Sequence, residues 1–189
     1  MGSYPRQFFM AAVPAAIVFS LCLPWRKKRL KQRNLHSSFL REAGLTAFVM
    51  CLCGLLSMVF QPGPRLVRAF PLDGVNLMPL RMIAGYFQDF GTEHTGFAII
   101  LFFGNMGTFL PLGFFPPLLF RSWNWGKIAL FGAGFSFSIE LIQYFLGRHC
   151  DIDDIILNVL GVLMGYGLYV LLHKLAPRRA LRFQAENIS

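Results

Sequence analysis

Apolar residues in this chain gather into long uninterrupted runs rather than into alternating stripes, and the runs are separated by polar, basic or proline-rich connections. Five can be drawn, at about residues 8–24, 43–60, 96–120, 127–146 and 155–173. A helix of roughly 20 apolar residues crosses the hydrocarbon core of a bilayer, so each run reads as a span. Period-two alternation is missing across them, which disfavours an outer-membrane barrel. Helices are then the remaining solution, because every backbone N–H and C=O must be paired within lipid. The expected fold is all-α, a polytopic transmembrane helical bundle of about five helices.

Proline places the ends and weak points. The first run, Phe8 to Pro24, is short and contains Pro14, which membrane helices tolerate. Its basic cluster follows it instead of preceding it, unlike a cleaved signal peptide. Gln61-Pro62-Gly63-Pro64 stops the second run, since two prolines cannot continue the backbone ladder. Pro111, Pro116 and Pro117 predict a third helix that is kinked or broken near its end. Between the second and third runs, residues 61–95 form a long mixed loop. It holds Asn76-Leu77-Met78-Pro79-Leu80 and then a stretch, Arg81 to Phe90, in which Met82, Ile83, Tyr86, Phe87 and Phe90 recur at helical spacing. That pattern predicts a short interfacial helix lying at the lipid surface, with packing against the bundle as the alternative. The chain thus divides into a first transmembrane helix with a basic loop (1–42), a transmembrane domain (43–173) and a tail (174–189).

Composition agrees: of 189 residues, 55% are hydrophobic and only 14% charged, with a mean hydropathy of +0.52. A water-soluble domain could not cover such a surface. The net charge of +9 does not point to nucleic acid, because the basic residues flank apolar runs. Arg26, Lys27, Lys28, Arg29, Lys31 and Arg33 follow the first run directly. That position suits a solvated juxtamembrane loop beside anionic cytoplasmic lipid. With the amino terminus outside and the carboxyl terminus cytoplasmic, 13 of the 18 Lys and Arg residues fall inside. The other five, Arg6, Arg65, Arg68, Arg81 and Arg148, fall outside, so the positive-inside rule favours this orientation. Cys22, Cys51, Cys53 and Cys150 form neither a disulfide framework nor a zinc spacing. Cys51 and Cys53 lie mid-span on different helix faces and read as packing residues.

Three groups of residues carry candidate chemistry. Glu140 lies inside the fourth run, where an ionisable group is costly enough to be a functional hypothesis. Gln143 and Ser136 share its helix face, so that face should point into the bundle, as a site or as a structural hydrogen-bond hub. Arg148, His149, Cys150, Asp151, Asp153, Asp154 and Asn158 lead from the fourth helix into the fifth. Asp154, Asn158, Gly161 and Gly165 share a face, polar at one end and small farther in, which predicts close helix packing. Capping of the fifth helix accounts for Asp151 and Asp153. Three acids with an arginine exceed that need, leaving open an anion site, a metal site or a purely structural cluster. The third group is Asn105 in Gly104-Asn105-Met106-Gly107. Asn105, Glu140, Gln143 and Asn158 fall at similar depth on three helices, which suggests one outward-opening polar pocket. His149 and Cys150 are not expected to form a nucleophile and base, since neighbouring residues rarely have that geometry.

On these residues the chain resembles the VanZ family of membrane proteins. The resemblance rests on Asn76-Leu77-Met78-Pro79, on Asn105 with Phe109-Leu110-Pro111-Leu112-Gly113-Phe114, and on Ser138-Ile139-Glu140 with Gln143. It continues in Arg148 with Asp151, Asp153, Asp154, Asn158 and Gly161, and covers roughly residues 45–172. It implies a bacterial inner-membrane protein acting near cell-wall precursor lipids and linked to low-level resistance to the glycopeptide teicoplanin. Two readings follow. In the first, a non-enzymatic binder uses Asn105, Glu140, Gln143, Arg148, Asp151, Asp153, Asp154 and Asn158 to hold a lipid headgroup, a polyprenyl-linked wall precursor or the antibiotic itself. It needs no cofactor and no nucleic-acid partner. In the second, a membrane hydrolase or transferase acts on a lipid phosphate, with Glu140, Asp151 and Asp154 holding a divalent metal.

Overall fold

The computed structural model describes residues 3–32, 34–60, 75–120, 122–184 and 186–187, and among these the chain is nearly all helix. Helices α1 (Ser3–Leu21), α2 (Leu23–Lys31), α3 (Phe39–Val59), α4 (Arg81–Gln88), α5 (Thr95–Leu119), α6 (Trp125–Phe145), α7 (Ile152–Leu175) and α8 (Pro177–Leu181) are joined by four two-residue strands. The strands are β1 (Leu35–His36), β2 (Val75–Asn76), β3 (Cys150–Asp151) and β4 (Glu186–Asn187). Helices α3, α5, α6 and α7 are each long and apolar enough to cross a membrane. The fifth span is less regular: α1 and α2 meet at a 46° bend and qualify only as a bent pair. The expected bundle of about five helices is therefore present. The basic run expected as a loop is helical instead, within α2, which buries none of its residues. A proline in its first turn favours that start.

Helices α5 and α7 form the spine. Added Cβ atoms at Gly161 and Gly165 would lie 2.1 and 2.0 Å from the carbonyl oxygens of Met106 and Leu110. A Cβ at Gly113 would lie 1.7 Å from the carbonyl oxygen of Val162. The two backbones thus touch through three missing side chains, as membrane helices do where lipid supplies no hydrophobic drive to associate. Around this seam Leu55, Val59, Phe109, Leu112, Ile128, Ile139, Val162 and Tyr166 build the main core. Despite its three prolines, α5 is one helix from Thr95 to Leu119, so of the expected kink or break the break does not occur. Tertiary packing holds it: Pro116 and Pro117 are buried with Leu118 and Leu119 at its end, and neighbouring helices make such residues tolerable in membranes.

Helix α3 ends at Val59, and the Gln61-Pro62-Gly63-Pro64 stop lies outside the described residues. Helix α4 reconciles the two placements of the amphipathic segment. Its Ile83 is buried with Met106 and Leu157, and Met82 and Tyr86 pack beside them. Phe87 on that helix and Phe90, just past its end, remain exposed. The carboxyl-terminal segment is not free: β4 pairs antiparallel with β1, Leu35 opposite Asn187 and His36 opposite Glu186. Ser38 Oγ also donates to the Arg182 carbonyl.

Candidate functional site

The polar cluster assembles at the end of the bundle where α6 passes into α7. Helix α6 runs out at Phe145, and Gly147 turns the chain with φ of 78°, a left-handed conformation that favours glycine. The next residues form β3, which pairs in parallel with β2, Val75 opposite Cys150 and Asn76 opposite Asp151. Asp151 then starts α7 as its N-cap, accepting from Asp153 N at 2.9 Å. That bond satisfies a free N–H of the first turn, and the charge suits the positive end of the helix dipole. Asp151 also accepts from Asn76 Nδ2 at 3.0 Å, and its own N–H donates to Glu140 Oε2 at 3.1 Å.

Asp153 does not cap its own helix. It is fully buried, and its carboxylate accepts from the backbone N–H groups of Leu80, Met82 and Ile83 at the start of α4. Leu80, with φ of 65°, bends the chain so that these N–H groups converge. One side chain of α7 thereby anchors the segment between α3 and α5 across the top of the spine. Asn76 is the second anchor: its Nδ2 reaches Asp151 while its Oδ1 accepts from Met78 N at 3.2 Å. Neither role was legible from the run of residues alone. The Asn76-Leu77-Met78-Pro79 motif was the available signal, and its partners lie about 75 residues away.

The remaining predicted site residues fall into three places. Asp154, directed at α5, accepts from Asn105 Nδ2 at 2.6 Å. Glu140, only 2% exposed, is linked to Arg148 through Gln143. With the Gln143 amide in the orientation that satisfies both its ends, its nitrogen donates to Glu140 Oε1 at 3.2 Å and its oxygen accepts from an Arg148 terminal nitrogen at 3.0 Å. Asn158, 4% exposed, lies one turn deeper than Asp154 and donates to Ser136 Oγ at 3.0 Å, tying α7 to α6. Asn158 thus pairs within the bundle, whereas Asn105, Glu140, Gln143 and Arg148 share the upper layer with the acids.

Acidic groups dominate this layer. Burial pushes the Tyr86 phenol up to about 12, and the charges of Asp154, Asp151 and Asp153 push the same way. Burial likewise raises the Cys150 thiol, reinforced by Glu140, Asp151 and Asp154. The acids are not arranged as a metal cage: among the described residues no three His, Cys, Asp or Glu side chains converge on one. Their oxygens are turned instead to N–H groups of the chain itself. Arg148 differs. It is half-buried, its guanidinium is steadied by Gln143, and among the described residues it enters no salt bridge. Such a cluster is equipped to bind by hydrogen bonding, with one cation offering a planar fork of donors and carboxylates able to accept from hydroxyl or amine groups.

No curated protein and no solved structure matches the chain. The family model described as VanZ/LLP1 matches residues 45–173, which takes in α5, α6, α7 and every residue of the cluster just described. Since that match spans well over half of the sequence, the chain belongs to the VanZ/LLP1 family.

Proposed function

We propose that the polar end of this bundle faces the outside of the bacterial inner membrane and binds the phosphate-bearing headgroup of a lipid or a lipid-linked cell-wall precursor. Through that binding the protein contributes to resistance to a glycopeptide antibiotic, teicoplanin. Arg148 carries this reading: it is a half-buried guanidinium held in place by Gln143 that enters no direct salt bridge among the described residues. Guanidinium matches phosphate oxygens in a bidentate fork, and partial desolvation strengthens the pair. Glu140 and Asp154 flank Arg148 and would accept from sugar hydroxyl or amine groups of the same headgroup, while Asn105 and Gln143 orient the two carboxylates. Orientation is supported by the distribution of charge. The opposite end carries Lys27, Lys28, Arg29, Lys31, Lys127, Lys174, Arg178, Arg179 and Arg182, as a cytoplasmic face does.

Expression in a teicoplanin-susceptible bacterium tests the reading. The wild-type chain should raise the inhibitory concentration, and Arg148→Ala and Glu140→Ala should abolish the increase at equal protein level. A wild type without effect would remove the resistance role. An effect undiminished in both variants would remove the site.

A further inference from the structure

A second charged cluster lies at the opposite end of the bundle, outside the family match. Helix α3 opens there with Ser38 as N-cap, its Oγ accepting from Arg41 N. Arg41 and Glu42 in its first turn are 9% and 7% exposed. Glu42 accepts from Ser37 Oγ and, at 2.6 Å, from a terminal nitrogen of Arg26, which reaches over from α2. Arg41 donates to Ser37 Oγ at 3.2 Å and approaches Glu42 at 3.8 Å.

The charges and donors do not balance. Among the described residues, the buried guanidinium of Arg41 and the partly buried one of Arg26 share one carboxylate. Among the same residues, Arg26 Nε, one Arg26 terminal nitrogen and Arg41 Nε are buried and find no hydrogen-bond acceptor. The Phe19 ring under Arg26, 3.5 Å from its guanidinium carbon, offers a cation–π contact but no acceptor for these N–H groups. A buried cation without enough acceptors is expensive, and each orphaned donor adds to the cost. One further anion would supply both the missing charge and the missing acceptors.

We propose that Arg41, at the amino terminus of α3, and Arg26, reaching over from α2, form an anion site for the phosphate of an anionic lipid in the adjoining leaflet. Helix dipole and guanidiniums act in the same sense there. Helix α2 has no buried residue and joins α1 through the 46° bend, so a shift of α2 that exchanges the Arg26 contact with Glu42 for one with phosphate leaves the core undisturbed. Exposed Lys27, Lys28, Arg29 and Lys31 on α2 draw anionic headgroups to the entrance. The site does not depend on the cluster around Arg148.

The test is calorimetric titration of the purified full chain in a neutral detergent, in an Arg148→Ala background so that the other cluster does not contribute. The probes are dioctanoyl-phosphatidylglycerol and inorganic phosphate, with dioctanoylglycerol as the uncharged control. Phosphatidylglycerol should bind saturably, and Arg26→Gln or Arg41→Gln should weaken it by about tenfold or more, as loss of a charge-assisted bond implies. Arg29→Gln, on the exposed face, should leave it within about twofold, since surface charges contribute little. Binding of phosphatidylglycerol alone identifies the lipid as the source, and binding of inorganic phosphate with equal sensitivity to Arg41→Gln identifies a soluble phosphate. Absence of saturable binding by either, or an equal loss in Arg29→Gln, overturns the site. Should Arg41→Gln fail to elute as a single species, Glu42→Gln decides: removing the competing carboxylate should tighten binding several-fold, and unchanged or weaker binding overturns the proposal.

Discussion

Asp153 offers the sharpest perturbation, because one side chain holds a whole segment in place. Its carboxylate takes three backbone N–H groups of α4, from Leu80, Met82 at 2.7 Å and Ile83 at 3.2 Å, and it is fully buried. Replacing it with Asn removes the charge and turns one acceptor oxygen into an NH₂ group that faces N–H donors. A hydrogen bond to a charged group contributes about 1.5–3 kcal/mol, and three that share one acceptor are not additive. A loss of about 3 kcal/mol in the docking of α4 is therefore expected, raising the undocked population on the order of 100-fold. Ile83, buried under α4 against Met106 and Leu157, reports it. In a chain with Ile83→Cys as the sole cysteine, a water-soluble maleimide should react far faster once Asp153→Asn is added, while α5 and α7 keep their helical signal. Equal labelling with and without Asp153→Asn would refute the anchoring role.

Two further predictions follow from packing and electrostatics. Gly113→Ala pushes a Cβ to 1.7 Å from the Val162 carbonyl oxygen and must separate α5 from α7, so thermal unfolding in detergent should show a loss of about 1–3 kcal/mol. Gly134→Ala, which meets nothing within 4 Å, should be neutral or slightly stabilising, and similar melting of the two variants would contradict the α5–α7 seam. With Cys22, Cys51 and Cys53 replaced by Ser, Cys150 should react with a membrane-impermeant maleimide added outside intact cells. Because burial and then the charges of Glu140, Asp151 and Asp154 raise its thiol, the thiolate is scarce at neutral pH. The rate should keep climbing at higher pH than for an ordinary exposed thiol, whereas reaction only after lysis would reverse the assigned orientation.

The parts of this fold that were legible in the sequence are those written in local periodicity. Spans within α3, α5, α6 and α7 followed from apolar runs, and close packing of α7 followed from Gly161 and Gly165 on the face of Asp154, though not that α5 is the partner. Capping of α7 by Asp151 was equally local. What escaped depends on distant partners. Asp153 looked like a second cap of its own helix, but its acceptors are filled by α4, some 70 residues earlier. Asn158 looked like a pocket residue, and its partner Ser136 became visible only once α6 and α7 were packed. Arg41 and Glu42 were not singled out in the sequence, because their burial depends on how α2, set off from α1 by a 46° bend, lies against the start of α3. The three prolines of α5 argued for a kink or break, and tertiary packing overrides the break.

The central claim is that Arg148 and Glu140 hold a lipid headgroup. Native mass spectrometry of the gently extracted chain tests it most directly, comparing wild type with Glu140→Gln and Arg148→Ala. With all three proteins carrying Arg26→Gln, so that the site at the other end of the bundle does not contribute, a phospholipid or polyprenyl-phosphate adduct on the chain with Glu140 and Arg148 intact should be lost or strongly reduced in both variants, while each still elutes as a folded species. Adducts identical in mass and abundance across all three proteins would contradict it and leave the polar layer as a device for joining helices.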